Sequence, residues 1–282
     1  MKNSKVIMLI CASLFFLCGT VWADDTVTEF RKRSSDRATE ISESDIEAEI
    51  QFGEELAARI LGRFRAYDNE KATRYINLIG KGLASYSNRP EIEFRFAILN
   101  TDSINAFAAP GGFIFITKGT LEMVENEAQL AGVLAHEIAH ITEKHIVKEL
   151  NIKGGDESPL AGFASILGGG TSETMRVALT QLVDKAGEIL FEKGLKKEDE
   201  LTSDKVALMT VTNAGYDPVA YKRLLQGIKE KEEGTEKTKI VSTTHPSYED
   251  RIKAMEKIIS REWLNELKYL LVKERFDEYI NL

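Results

Sequence analysis

The chain has 282 residues, room for one sizeable core or two small ones, and its 43% apolar and 29% charged composition is that of an ordinary soluble protein. Its 45 acidic residues outweigh 37 basic ones, and the net charge of −8 argues against nucleic acid or an anionic membrane surface as a partner.

The first 23 residues stand apart. Lys2 and Lys5 precede an apolar run from Val6 to Leu17, and Val21-Trp22-Ala23 before Asp24-Asp25 has the layout of a cleavage site, so residues 1–23 read as a secretory signal peptide. The run is short for a span, which sets cleavage ahead of a retained membrane anchor. Lipidation at Cys18 ranks behind cleavage as well, because bulky Leu17 stands where a small residue is expected. Both cysteines, Cys11 and Cys18, fall inside this segment, so the mature chain is expected to carry no disulfide in a compartment that permits them. Loss of Lys2 and Lys5, with no acid in the segment, takes the net charge from −8 to −10. No later stretch is long and apolar enough to cross a bilayer, so no membrane span is expected after cleavage.

Residues 24–43 are polar without a period and read as a flexible leader, and residues 44–282 as a single domain. From Ser44, Ile46, Ile50, Leu56, Ile60 and Leu61 recur at helical spacing. A second helix is expected from Asn69 to Ser87, with Ile76, Ile79 and Leu83 on one face and Asn88-Arg89-Pro90 ending it. The period then shortens: Ile92, Phe94, Phe96 and Ile98 alternate as in a half-buried strand, and Phe113 to Thr117 reads as another strand after the Pro110-Gly111-Gly112 turn. Asn126 is placed to cap a helix from Glu127 to about Leu150, with Gln129 reaching back as in a capping box. Residues 153–172, rich in Gly and Ser, read either as a mobile loop near the site below or as a plain linker. Helices are expected again at 173–193 and 197–213, then after the stop at Ala214 to Pro218, at 246–259 and at 261–279, with a charged linker at 230–239. No internal repeat and no tandem helical-hairpin array is visible.

The helix beginning at Glu127 carries AHEIAHITEKH, which holds three of the four histidines. On a helix, His136 and His140 lie one turn apart on one face, where two neutral imidazoles can grip a borderline-soft ion such as zinc. Glu137 then projects beside the ion, placed to take a proton from an activated water. This is the HExxH pattern of zinc hydrolases, rare by chance in a chain of this length, and the bland alternative is an amphipathic helix with two incidental histidines. His145, five residues past His140, should point off the ligand face and serve a structural role. A catalytic zinc site normally takes three protein ligands, and without cysteine the third must be His, Asp or Glu. Glu200 and Asp204, at i and i+4 on a later helix, can supply a ligand and an acid that orients a ligand imidazole. Acids are abundant, and a solvated charged face has the same spacing.

The run from Asn105 to His145 resembles the core of the HtpX and CAAX-prenyl-protease family of zinc metallopeptidases, and it is closest to that family's soluble periplasmic branch. The family's later ExxxD element is matched by Glu200 and Asp204, its Gly-Tyr-Asp-Pro turn by residues 215–218, and its His-Pro followed by Arg by His245-Pro246 and Arg251. The resemblance covers about residues 45–260, in the family's order. Ser203 departs from it, standing where members usually have Ala before the Asp.

What the resemblance implies is an α+β fold, mainly α-helical: a zincin-like metallopeptidase domain with a small antiparallel or mixed sheet packed on the HExxH helix. It implies one Zn2+ per subunit held by His136, His140 and Glu200, with Asp204 orienting a ligand. Glu137 would act as the base of a metalloendopeptidase that uses zinc-activated water. By resemblance and chemical type, His245 and Arg251 are candidates to face the oxyanion, although His245 could instead close the site as a fourth ligand and Arg251 could form a surface salt bridge. The Phe113 to Thr117 strand could be an edge that pairs with an extended polypeptide, or an interior strand. The resemblance further implies a periplasmic protein acting on unfolded or misfolded polypeptides of the envelope or outer membrane. The competing class is a chaperone-like, client-binding protein whose zinc site is mostly silent, and a third reading is hydrolysis of a small amide or ester. Prenylated substrates are not expected without membrane helices to hold the lipid.

Overall fold

The computed structural model describes residues 43–150, 173–233, 247–262, 264 and 269–280. The expected signal peptide and leader, the 153–172 segment, most of the 230–239 linker and His245 lie outside the described residues.

Helix α1 (Glu43–Phe64) and helix α2 (Glu70–Ala84) follow the apolar spacing read from the sequence. Asn69 caps α2, its Oδ1 accepting from the Ala72 amide at 3.0 Å, and Ile76, Ile79 and Leu83 form the buried face. Three strands follow: β1 (Arg95–Leu99), β2 (Ala106–Ala109) and β3 (Phe113–Thr117). The sheet is mixed, in the order β1-β3-β2, with β3 parallel to β1 and antiparallel to β2. Strand β3 is therefore interior, which settles the choice left open in the sequence.

The reason is visible in its side chains. Ile114 and Ile116 enter a core shared with α2 and the motif helix, while Phe113 and Phe115 enter a second core with Phe52, Leu56 and Ile60 of α1. A strand buried on both faces can be apolar along its length, as this one is from Phe113 to Ile116. Strand β2 had no sequence signal, since three of its four residues are alanine, which has little preference for strands.

Between β2 and β3 the Pro110–Gly112 turn needs its glycines: Gly111 has φ +75° and Gly112 φ +98°. The turn is pinned from below by buried Glu49, whose Oε1 accepts the Gly111 amide at 3.3 Å and whose Oε2 pairs with buried Arg89 at 2.8 Å. The outer edge of β1 is covered by Asn77, which donates to the Phe96 carbonyl at 2.7 Å and accepts its amide at 3.2 Å.

After the short helix α3 (Lys118–Leu121) comes α4 (Glu127–Thr142), in which every residue is buried. It packs on β2, α2, α7 (Lys197–Asn213) and α8 (Pro218–Glu233), the centre of the structure. Asn126 caps it as expected, but Gln129 reaches past the cap to accept the Glu125 amide at 2.8 Å. The expected single helix to Leu150 is broken: Lys144 is left-handed at φ +56°, and α5 (His145–Glu149) starts in a new direction. Without a glycine or proline at the break, nothing local announced it.

Helix α6 (Glu173–Glu188) runs into a π-helical turn, Ile189–Lys193. Helices α9 (Tyr248–Arg261) and α10 (Lys273–Tyr279) complete the described chain. The continuous helix expected over 261–279 is not formed. Leu270 instead pairs with the backbone at Gly215 and Asp217, at 3.3 Å each way, and α10 begins only after a left-handed Val272. No helix among the described residues is long and apolar enough to cross a membrane. The architecture is α+β and mainly helical, with the small sheet packed on the motif helix.

Candidate active site

The chemistry-bearing side chains of α4 and α7 meet where the two helices pack together. His136 Nε2 and His140 Nε2 are 3.0 Å apart, and Glu200 places its carboxylate oxygens 3.4 Å from the first and 3.5 Å from the second. All three are buried, and they form the group of metal-capable side chains found among the described residues. A tetrahedral ion with bonds of about 2.0–2.2 Å separates its ligand atoms by roughly 3.3–3.6 Å. The two Glu200 contacts lie in that range, the imidazole pair at 3.0 Å is slightly closer, and the His2Glu chemistry suits a zinc-sized cation. The solvated-face alternative for Glu200 and Asp204 fails, since both are within 1% of complete burial.

Asp204 lies one turn beyond Glu200 and its Oδ1 is 2.9 Å from His136 Nδ1, the nitrogen that faces away from the other donors. Burial and the Arg251 charge push the His136 imidazole down, and the bonds to Asp204 and Glu200, with the Asp204 charge, outweigh them and lift it to about 9. Burial also pushes Asp204 up, but the Arg251 charge and the Arg251 and His136 bonds hold it below the usual carboxylate range.

Arg251 of α9 is buried and bidentate on Asp204, with Nε 2.8 Å from Oδ2 and Nη2 2.6 Å from Oδ1. Nη2 also donates to the Tyr221 hydroxyl at 2.8 Å, and Nη1 lies 3.4 Å from Glu200 Oε2. The pairing is thus a salt bridge, but an interior one. Tyr221 on α8 carried no signal in the sequence. Its place depends on Gly132 of α4, where a Cβ would come within 2.4 Å of the tyrosine's own Cβ.

His145 is where the structure departs most from the sequence. On a continuous helix it would lie about 140° round the axis from His140. The left-handed Lys144 turns the chain back, and His145 Nδ1 stands 3.0 Å from His140 Nδ1 and 3.3 Å from Ser203 Oγ. Burial, with the Lys148 charge, pushes its imidazole down to about 4.

Two cavities open on either side of Glu137. One is lined by Phe107, Ile189, Leu190 and Leu195 with His140 and Glu200, and the other by Ile104, Val133, Leu224 and Tyr248 with His136 and Arg251. Ala106 of β2 and Glu137 line both. Thr117 donates to the Asn105 carbonyl at 3.1 Å, so by the alternation of an antiparallel ladder the main-chain groups of Ala106 and Ala108 point away from β3.

A buried His2Glu cluster on crossed helices, with an acid at Glu137 and a strand edge alongside, defines a zincin-type metallopeptidase domain. The family model for Peptidase family M48 matches residues 70–259, and the chain belongs to that family. Over 291 residues the chain is 26% identical to the beta-barrel assembly-enhancing protease of Escherichia coli (strain K12), covering 99% of this chain and 56% of that protein. It is 30% identical over 196 residues to the beta-barrel assembly-enhancing protease of Yersinia pestis, covering 64% of this chain and 37% of that protein. To the mitochondrial metalloendopeptidase OMA1 of Schizosaccharomyces pombe it is 27% identical over 198 residues, covering 69% and 53% respectively. The chain spans about half the length of these relatives.

Proposed function

We propose that the protein is a zinc metalloendopeptidase, exported to the periplasm after cleavage behind Ala23, that cuts unfolded or misfolded outer-membrane polypeptides. The observation that carries the reading is the donor triangle of 3.0, 3.4 and 3.5 Å formed by His136, His140 and Glu200. The family and the names of the relatives support peptide hydrolysis, and the beta-barrel assembly-enhancing proteases support the outer-membrane setting. His136, His140 and Glu200 would hold the ion. When bound, zinc supplies Lewis-acid polarisation of the scissile carbonyl and draws the pKa of water towards ~7. Glu137 takes the proton of the attacking water on its carboxylate and returns it to the leaving nitrogen. Asp204 holds His136 by Nδ1, and Arg251, engaged by Asp204 and Tyr221, serves best as the clamp that keeps Asp204 in place. His245 keeps its two candidate roles, oxyanion donor and closing ligand.

The substrate would lie along the outer side of β2, the edge beside the site, rather than along β3, pairing at Ala108, since the Ala106 amide already donates to Asn105 Oδ1 at 2.8 Å. Main-chain pairing there reads little sequence, and the apolar walls on both sides of Glu137 suit side chains that folded proteins bury. The test is zinc content and casein digestion of the protein beside Glu137→Gln. Activity should fall roughly 10²–10⁴-fold with zinc retained. A native protein that binds no zinc, or a variant as active as its parent, would overturn the reading, and client binding without cleavage by the native protein would favour the chaperone-like class.

A further inference from the structure

The two ligand imidazoles are supported in different ways. His136 has a carboxylate, Asp204, at its Nδ1. His140 has another imidazole: its Nδ1 faces the Nδ1 of His145 at 3.0 Å, with the rings nearly edge to face at 75°. Resting on the metallopeptidase reading above, His140 binds the ion as a neutral ring through Nε2, so its proton sits on Nδ1 and requires an acceptor. His145 Nδ1 can accept only if its own proton is on Nε2. That nitrogen lies 3.6 Å from Asp199 Oδ1, an ion-pair distance rather than a hydrogen bond. Ser203 Oγ, 3.3 Å from the same Nδ1, can only donate there and shares the nitrogen's one lone pair as the longer contact, while His145 is 2% exposed, so water adds no further donor.

We infer that His145 is a positioning residue for the metal site: its Nδ1 accepts the Nδ1–H of His140 at 3.0 Å and so fixes the tautomer that presents Nε2 to the metal, with burial and the break at Lys144 keeping the ring in place. The break at Lys144 is what makes this possible, because it carries His145 back over the end of the helix that bears His140. The Ser203 hydroxyl touches the ring that supports a ligand.

The experiment measures zinc affinity of the metal-free full chain by competition with a chelator of known strength, for the parent, His145→Phe and His145→Asn. Phenylalanine fills the space without an acceptor and should weaken zinc binding about 10–100-fold, the usual cost of losing such a support. Asparagine returns a carbonyl oxygen and should recover most of that loss. Parental affinity in folded His145→Phe, or equal losses in both variants, overturns the inference. A parent that binds no zinc overturns the proposed function instead. If neither variant folds, imidazole 15N shifts of the unmodified zinc-loaded protein decide the matter. They should show His145 protonated on Nε2 and His140 on Nδ1, and a proton on His145 Nδ1 refutes the assignment.

Discussion

At the scale of single residues, the site divides into groups a sequence can announce and groups it cannot. His136, Glu137 and His140 are legible because one turn of helix fixes their relation, and Glu200 with Asp204 repeats that logic on a second helix. Tyr221 carried no signal, and Arg251 was marked as a candidate without its partner being readable, because their relation to Asp204 is set by how α8 and α9 pack against α7 and α4. Two predictions belong here. Asp204→Asn keeps the shape but removes the charge that holds both His136 and Arg251, leaving the buried guanidinium with only the longer 3.4 Å contact to the Glu200 carboxylate. Chemical denaturation should show a loss of about 3–5 kcal/mol, accompanied by weaker zinc binding in a chelator titration. Gly132→Ala puts a methyl group into Tyr221 and should cost about 1–3 kcal/mol on the same measurement, with the tyrosine displaced from Arg251.

At the scale of elements, periodicity located α1, α2, β3 and the start of α4, and failed where the outcome depended on a neighbour. Strand β3 could not be told from an edge strand by its own residues, and β2 was invisible because alanine has no strand signature. The placement of β2 predicts that Ala108→Pro, which removes an outward amide and leaves the Phe107 and Ala109 rungs in place, lowers kcat/KM on casein at least tenfold without loss of zinc.

The start of α4 has its own lock. Buried Glu127 accepts from Tyr216 at 2.6 Å and from Arg275 Nε of α10 at 2.6 Å, and also from Tyr75. Burial pushes its carboxyl up, and these donors outweigh burial and hold it below its ordinary value. A depressed carboxyl stabilises the fold above the unfolded pKa of about 4.3, and the contribution disappears as pH falls through the lower folded value. Glu127→Gln should therefore cost about 1–3 kcal/mol at pH 7, discounted because Arg275 is half exposed, and the gap in Tm from the parent should close on acidification below pH 4.

At the scale of the whole molecule, the metal would tie α4 to α7. A chelator should lower the Tm, and added zinc should raise it in proportion to the logarithm of free metal. Expression with an intact secretion system and N-terminal sequencing should find the mature chain starting at Asp24, and a mature start elsewhere removes the assigned cleavage site. Residue types at helical spacing were enough to place, without coordinates, the HExxH pair and its glutamate on one helix, because a periodic pattern depends only on the geometry of its own element. The choice of Glu200 as third ligand and the zincin-like α+β class came from the resemblance. Contacts between elements were decided in three dimensions: the interior place of β3, the cleft edge of β2, the clamp from Tyr221 and Arg251, and the return of His145 to His140 through a left-handed lysine. Each of these arises where packing overrides a residue's local preference, and no local pattern records that.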